Sequence, residues 1–150
     1  MKSKLIVFFS LLTLIGLFIF AVNNSELHNE PEEETGENQP ASFTNLSAQE
    51  ALAFLKDNSD TFVVDVHTPE QEHLAGTDAF IPFEQVTDRL SEFPQDKSTP
   101  ILVYCRSGSM SLDASNDLID LGYTNVYNLA GGIHAWTGAG NPLNWRQDTN

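Results

Sequence analysis

Cysteine is nearly absent: Cys105 is the one thiol in 150 residues. No internal disulfide can form, which excludes a small scaffold stapled by bridges and leaves two readings of this residue, an inert core thiol or a reactive one. Basic residues are scarce too. Seven Lys and Arg stand against 21 Asp and Glu, a formal net charge of −14, and after Val22 only five cations remain beside all 21 carboxylates. That balance excludes nucleic acid and anionic membrane surfaces as partners, and it disfavours anionic substrates unless local groups override the field. Internal repeats are missing, which excludes a solenoid. A metal cluster is missing as well: His67 and His73 lie six positions apart, off a common helical face, and no set of cysteines or carboxylates completes a zinc site.

The chain does have one long apolar run. Residues 5–22, "LIVFFSLLTLIGLFIFAV", are 18 uncharged residues preceded by Lys2 and Lys4, and such a length is close to what a bilayer core requires. The exit "FIFAVNNSE" puts bulky Ile19 two residues before Ala21, a poor cleavage site, so residues 1–22 read as an uncleaved signal anchor forming one transmembrane helix. Lysines before the run and six glutamates after it place the amino terminus in the cytoplasm and the rest on the extracytoplasmic side, in the periplasm or at the cell exterior. Residues 23–42 are acidic and poor in large apolar side chains, which makes them a flexible tether. Residues 43–150 are the folded domain.

Within that domain, Ser47 and Glu50 form the ends of a capping box before Ala51, Leu52, Phe54 and Leu55, a short amphipathic helix. "TFVVDV" and "ILVYC" are β-branched and aromatic runs that read as buried strands, the first passing through "HTPE" into a proline-started turn or helix. "SLDASNDLIDLGY" sets Leu112, Ser115, Leu118, Ile119 and Gly122 on one helical face, with Asp113, Asn116, Asp117 and Asp120 solvated elsewhere. "NVYNL" is a third strand, "AGG" a turn and "IHAWTG" a closing helix. Trp136 and Trp145 read as core or covering aromatics. Strands alternating with helices predict an α/β domain with a mainly parallel sheet flanked by helices.

In such a sheet, ligands bind beyond the carboxyl ends of the strands. Cys105 stands where "ILVY" runs out and the next helix begins. The intervening Gly- and Ser-containing loop can turn successive N–H groups inward as an anion-binding nest, and the positive end of the helix adds to it. Both favour a nucleophilic thiolate. Arg106 supplies the only full positive charge close in sequence.

The segments "VVDVHTPEQEHLAGTDAFIPF", "ILVYCRSGSMS" and "LGYTNVYNLAGGIHAW" together resemble the successive signatures of a single-domain rhodanese, in order and with similar spacing. The resemblance implies a rhodanese-like α/β fold. It assigns Cys105 as the sulfur-accepting nucleophile, with Arg106, Ser107, Gly108, Ser109 and Met110 as the surrounding substrate loop. Asp65 falls in the motif that supports the active-site region, with His67 beside it. The implied activity is sulfurtransferase: sulfane sulfur passes from a small donor through a Cys105 persulfide to a thiol or cyanide-like acceptor, without a metal or organic cofactor.

Three departures from the family pattern bear on substrate. Met110 occupies the sixth loop position, where many thiosulfate-active relatives carry a basic residue, which disfavours thiosulfate as the natural donor. His67 stands where the early motif usually has arginine, so support from that position depends on pH. The stretch "EQEHLAGTDAF" is shortened, although "HLAG" still aligns. A tyrosine-phosphatase-like site would need arginine six positions after the cysteine, and Ser111 is there. The competing reading is a non-enzymatic rhodanese-like module that binds a partner or senses oxidants through Cys105 at the membrane surface.

Overall fold

The structure, a computed structural model, describes residues 41–144, all within the unit Gln39–Asn150. The expected membrane anchor at residues 1–22, nearly all of the 23–42 tether, and Trp145 lie outside the described residues.

Strand β1 (Thr44–Leu46) leads through Ser47 into helix α1 (Ala48–Asp57), followed by β2 (Phe62–Asp65) and a short β3 (Ala79–Phe80). Single 3-10 turns at Phe83–Gln85 and Leu90–Glu92 precede β4 (Ile101–Tyr104), α2 (Ser109–Asp120), β5 (Val126–Leu129) and α3 (Gly132–Gly138). Every strand pairing is parallel, in the order β1-β5-β4-β2-β3, as expected for strands separated by helical crossovers. Strands β1 and β3 carry no sequence signal: they are three and two residues long, too short for a period to show.

Ser47 caps α1 as the sequence pattern requires, its backbone N–H donating to Glu50 at 2.8 Å while the Glu50 N–H donates to its hydroxyl at 3.4 Å. The helix buries Ala48, Ala51 and Leu55, and Phe54 rests on Tyr127 with ring centroids 4.2 Å apart.

Alternation along the strands divides the core into two layers. Val64, Val66, Ile101, Val103 and Cys105 face α2 and the 3-10 turns, joining Ala114, Leu118, Phe93 and Tyr123. Val63, Leu102 and Tyr104 face the other way, against Ala51, Leu55 and Leu129 and the fully buried Trp136. The Trp136 indole N–H donates to Pro142 O at 2.9 Å, which satisfies the polar end of a ring otherwise surrounded by apolar groups.

Two segments differ from the sequence expectation. The buried face of α2 is Ser111, Ala114, Ser115 and Leu118, whereas Leu112 is exposed at 39%. The helix begins at Ser109 and its stripe runs from Ser111 with i, i+3, i+4, i+7 spacing, so Leu112 sits about 100° of rotation away. The "HTPE" segment forms no helix; it is an irregular loop after β2. Gly122 does stop α2, with φ of +90° just beyond the cap residue Leu121.

Candidate active site

Cys105 is the first residue after β4, 1% exposed, its thiol free. The Gly108 N–H points at its Sγ, 3.1 Å away. Gly108 is also the N-cap of α2, in a left-handed conformation with φ of +101°, so the sulfur lies at the positive end of a 12-residue helix. The first helical N–H groups, those of Ser109, Met110 and Ser111, have no carbonyl partner within the helix. Of the other loop residues, Arg106, Ser107 and Ser109 are exposed. Met110 is half-buried and packs on the apolar layer that contains Cys105. Ser111 is buried and its hydroxyl donates to Gly108 O at 3.1 Å, closing the first turn of the helix, so its side chain offers a phosphate no counterpart to an arginine.

The underside of the loop is held by α3. Ile133 N–H donates to Cys105 O at 3.0 Å and His134 N–H to Arg106 O at 3.1 Å. For these bonds to form, the chain at Gly131–Gly132 must pass directly against the loop. A Cβ on Gly132 would collide with the Cys105 carbonyl and come within 2.7–2.8 Å of the Arg106 carbonyl, and φ there is +57°. A Cβ on Gly108 would meet Gly131 N at 2.9 Å. What reads in sequence as a turn, "AGG", is thus a platform whose glycines allow two backbones to touch. The side chain of His134 adds a further tie, accepting at Nε2 from Arg106 Nε–H at 3.3 Å.

Asp65 is wholly buried and organises the segment after β2. Its carboxylate accepts the His67 N–H at 2.9 Å and the Gln71 side-chain amide at 3.1 Å, and it pairs with His73 Nδ1 at 2.8 Å. The other ring nitrogen of His73 meets Glu70 at 3.1 Å. Both nitrogens can donate only in the imidazolium form. Partial burial works against that charge, but the hydrogen bonds to Asp65 and Glu70 outweigh it and hold the His73 pKa above its ordinary value.

The His67 ring turns instead to Pro69 O, 2.7 Å from Nδ1, so the imidazole on the carboxylate is His73. The shortened stretch "EQEH" holds this residue, and the alignment of its His-Leu-Ala-Gly is the sequence signal that points to it. Asp65 pairs in register with Tyr104, one residue before the cysteine. Tyr104 faces the Trp136 layer and Cys105 the α2 layer, so the carboxylate reaches the sulfur only through the backbone of β2 and β4. Burial raises the Tyr104 phenol far above its usual range; its oxygen accepts from Leu74 N–H at 3.1 Å and lies 2.7 Å from Thr77 Oγ1. No group of three or more His, Cys, Asp or Glu among the described residues is arranged to hold a metal.

This parallel sheet with a cysteine loop at the end of β4 is a known arrangement. The family model of the rhodanese-like domain matches residues 47–139. A sulfurtransferase of Allochromatium vinosum is 36% identical over 91 residues, which cover 59% of this chain and 83% of that protein. Thiosulfate sulfurtransferase PspE of Escherichia coli is 40% identical over 73 residues, 47% of this chain and 68% of the relative. In fold alone, the rhodanese-like domain protein of Staphylococcus aureus superposes with a TM-score of 0.53 at 24% identity, covering 63% of this chain and 91% of that one. The chain therefore belongs to the rhodanese-like domain family, and it is a rhodanese-type sulfurtransferase.

Proposed function

We propose that Cys105 carries the transferred sulfur as a persulfide. The observation that supports this reading most directly is the Gly108 N–H, 3.1 Å from Sγ at the amino end of α2. A Cys105 thiolate attacks the sulfane sulfur of a donor: its electron pair forms the new S–S bond, and the pair of the broken bond leaves with the remainder of the donor. A thiolate or cyanide-like acceptor then attacks the outer sulfur and returns the electron pair to Sγ. Sulfur changes hands with no net oxidation, and no cofactor is required. The negative outer sulfur is stabilised by preorganised N–H donors along Arg106, Ser107, Gly108, Ser109 and Met110 and by the Arg106 charge. Asp65 and the segment containing His67 support the loop from the neighbouring strand.

Thiosulfate is disfavoured as the natural donor, with Arg106 the one loop cation that opposes this. The relative PspE is named for thiosulfate, but here Met110 is uncharged and packed on the core, and the field of an acidic domain opposes a dianion. Intact mass after exposure to several donors tests the chemistry. The wild type gains one sulfur atom, and Cys105→Ser gains none while keeping its fold, since a hydroxyl is close in size but accepts no sulfane sulfur. A reduced, folded wild type that takes up sulfur from no donor would return the chain to the binding-module reading.

We propose further that residues 5–22 anchor the chain in a membrane and that residues 23–42 tether the domain on the extracytoplasmic side, on the support of the charges flanking the run. Protease added to intact cells then releases the domain. Protection until lysis would place it inside, and a soluble form beginning near residue 22 or 23 would replace the anchor with a cleaved leader.

A further inference from the structure

Two arginines in the described domain are held in opposite ways. Arg89 is clamped by Glu92 through two bonds of 2.6 Å, so its charge is cancelled where it stands. Arg106 has no carboxylate partner among the described residues; its side chain is held by the His134 ring, 3.3 Å from Nε. A ring nitrogen that accepts a hydrogen bond belongs to a neutral imidazole. His134 therefore fixes the guanidinium without subtracting from its charge, and leaves both terminal nitrogens of Arg106 unoccupied by it. The same residue also holds Arg106 through the backbone, His134 N–H to Arg106 O at 3.1 Å. A loop residue one position after the nucleophile is thus gripped at two points by a single residue of α3.

The charge matters because of where it stands. The chain carries 21 carboxylates against seven Lys and Arg, and a donor approaching Cys105 meets Arg106 as the only cation of the loop. A fixed unit charge attracts a dianion about twice as strongly as a monoanion at equal distance. Were the guanidinium free to swing away, or paired with an acid as Arg89 is, that difference would shrink. Resting on the reading of Cys105 as the sulfur carrier, we propose that His134 is a positioning residue that holds Arg106 at full charge beside the Cys105 loop and thereby favours doubly over singly charged sulfane-sulfur donors.

The test compares kcat/KM for thiosulfate, a dianion, with that for methanethiosulfonate, a monoanion, at low ionic strength. Both deliver the same sulfur, releasing sulfite in one case and methanesulfinate in the other. His134→Ala lowers the thiosulfate-to-methanethiosulfonate ratio by about twofold to tenfold, the scale of one hydrogen bond, mainly through the KM for thiosulfate. His134→Gln, whose amide oxygen can accept from Arg106, restores the ratio. His134→Glu, which holds the arginine but cancels its charge, lowers it. All three substitutions are at an exposed side chain, and equal urea midpoints verify the fold. A ratio unaltered by His134→Ala, or a Gln variant no better than Ala, overturns the proposal.

The tautomer of the ring gives a readout that needs no turnover. Accepting at Nε2 requires the proton on Nδ1, so histidine 15N spectra of the wild type show that form at His134, and Arg106→Gln returns the ring to the Nε2–H form preferred by free imidazole. An unchanged tautomer in Arg106→Gln overturns the hold itself. Failure of the wild type to take up sulfur from either donor overturns the Cys105 reading, and the donor preference with it.

Discussion

The loop 105–111 and the segment 66–78 leave adjacent strands at the same end of the sheet, yet they are fixed by different means. Backbone groups hold the cysteine loop: Ile133 and His134 N–H on its first two carbonyls, Gly108 N–H on the sulfur. In the other, backbone bonds at its ends are joined by side-chain bonds, with Gln71 and His73 converging on one buried carboxylate and Thr77 on the Tyr104 phenol. The frame of the cysteine loop thus rests on peptide groups, which do not titrate, while the His134 ring holds the one charged side chain, Arg106. A segment held in part by His73, whose pKa is raised by its bonds to Asp65 and Glu70, inherits that residue's dependence on pH.

That contrast breaks most severely at Gly132. Replacing it with alanine forces a Cβ into the Cys105 carbonyl at a positive φ. The left-handed penalty and the overpacking together lower stability by roughly 2–5 kcal/mol and take sulfur transfer with it. Gly138, at the other end of the same helix, has open space where a Cβ would stand, with no atom within 4 Å; Gly138→Ala is neutral or stabilising, by up to about 1 kcal/mol. Urea midpoints of the two variants compare a glycine demanded by the loop with one that is not. If Gly132→Ala folds and transfers sulfur normally, the platform is dispensable.

Asp65→Asn attacks the second region. It removes the charge that His73 pairs with and offers an amide where an acceptor was, at a cost of about 2–4 kcal/mol. The loss appears chiefly in protease sensitivity around residues 66–78. Sulfur uptake by Cys105 persists at temperatures where the variant remains folded, because the carboxylate is on the opposite face of the sheet from the sulfur.

The smallest effect is the pH dependence. The folded pKa of His73 is raised above its unfolded value of about 6.5, so its pairing with Asp65 and Glu70 stabilises fully below that value. The contribution is lost as pH rises through the folded pKa. Urea midpoints should therefore fall across that window in the wild type. His73→Gln flattens the profile there, and an unflattened profile would assign the titration to another group.

Much of this is legible in the sequence. The capping box at Ser47 and Glu50, the β-branched runs of β2 and β4 and the glycine stop at Gly122 are local signals, and each reappears in the structure. The position of Cys105 at a strand end is legible for the same reason. The roles of Gly131, Gly132 and His134 are not, because what constrains them is the approach of a segment more than twenty residues earlier in the chain. His73 is hidden behind His67 on a similar ground: adjacency to Asp65 in sequence places the His67 N–H on the carboxylate, while its ring is carried away to Pro69. Leu112 misleads because its apolar side chain invites the helix to be phased on the leucines, whereas the buried stripe contains two serines.

The strand order has a consequence for how the chain is made. Among the described strands β1 is the first to emerge during synthesis and pairs only with β5, the last of them, and the side-chain bond between Asn45 and Asn128 spans 83 positions. Until β5 is out of the ribosome, β1 has no neighbour and β4 presents an open edge on the side β5 will fill. Nascent chains stopped before residue 126 should therefore be protease-sensitive and inclined to associate through that edge, with protection arriving in one step once β5 and the Gly132 platform are exposed together.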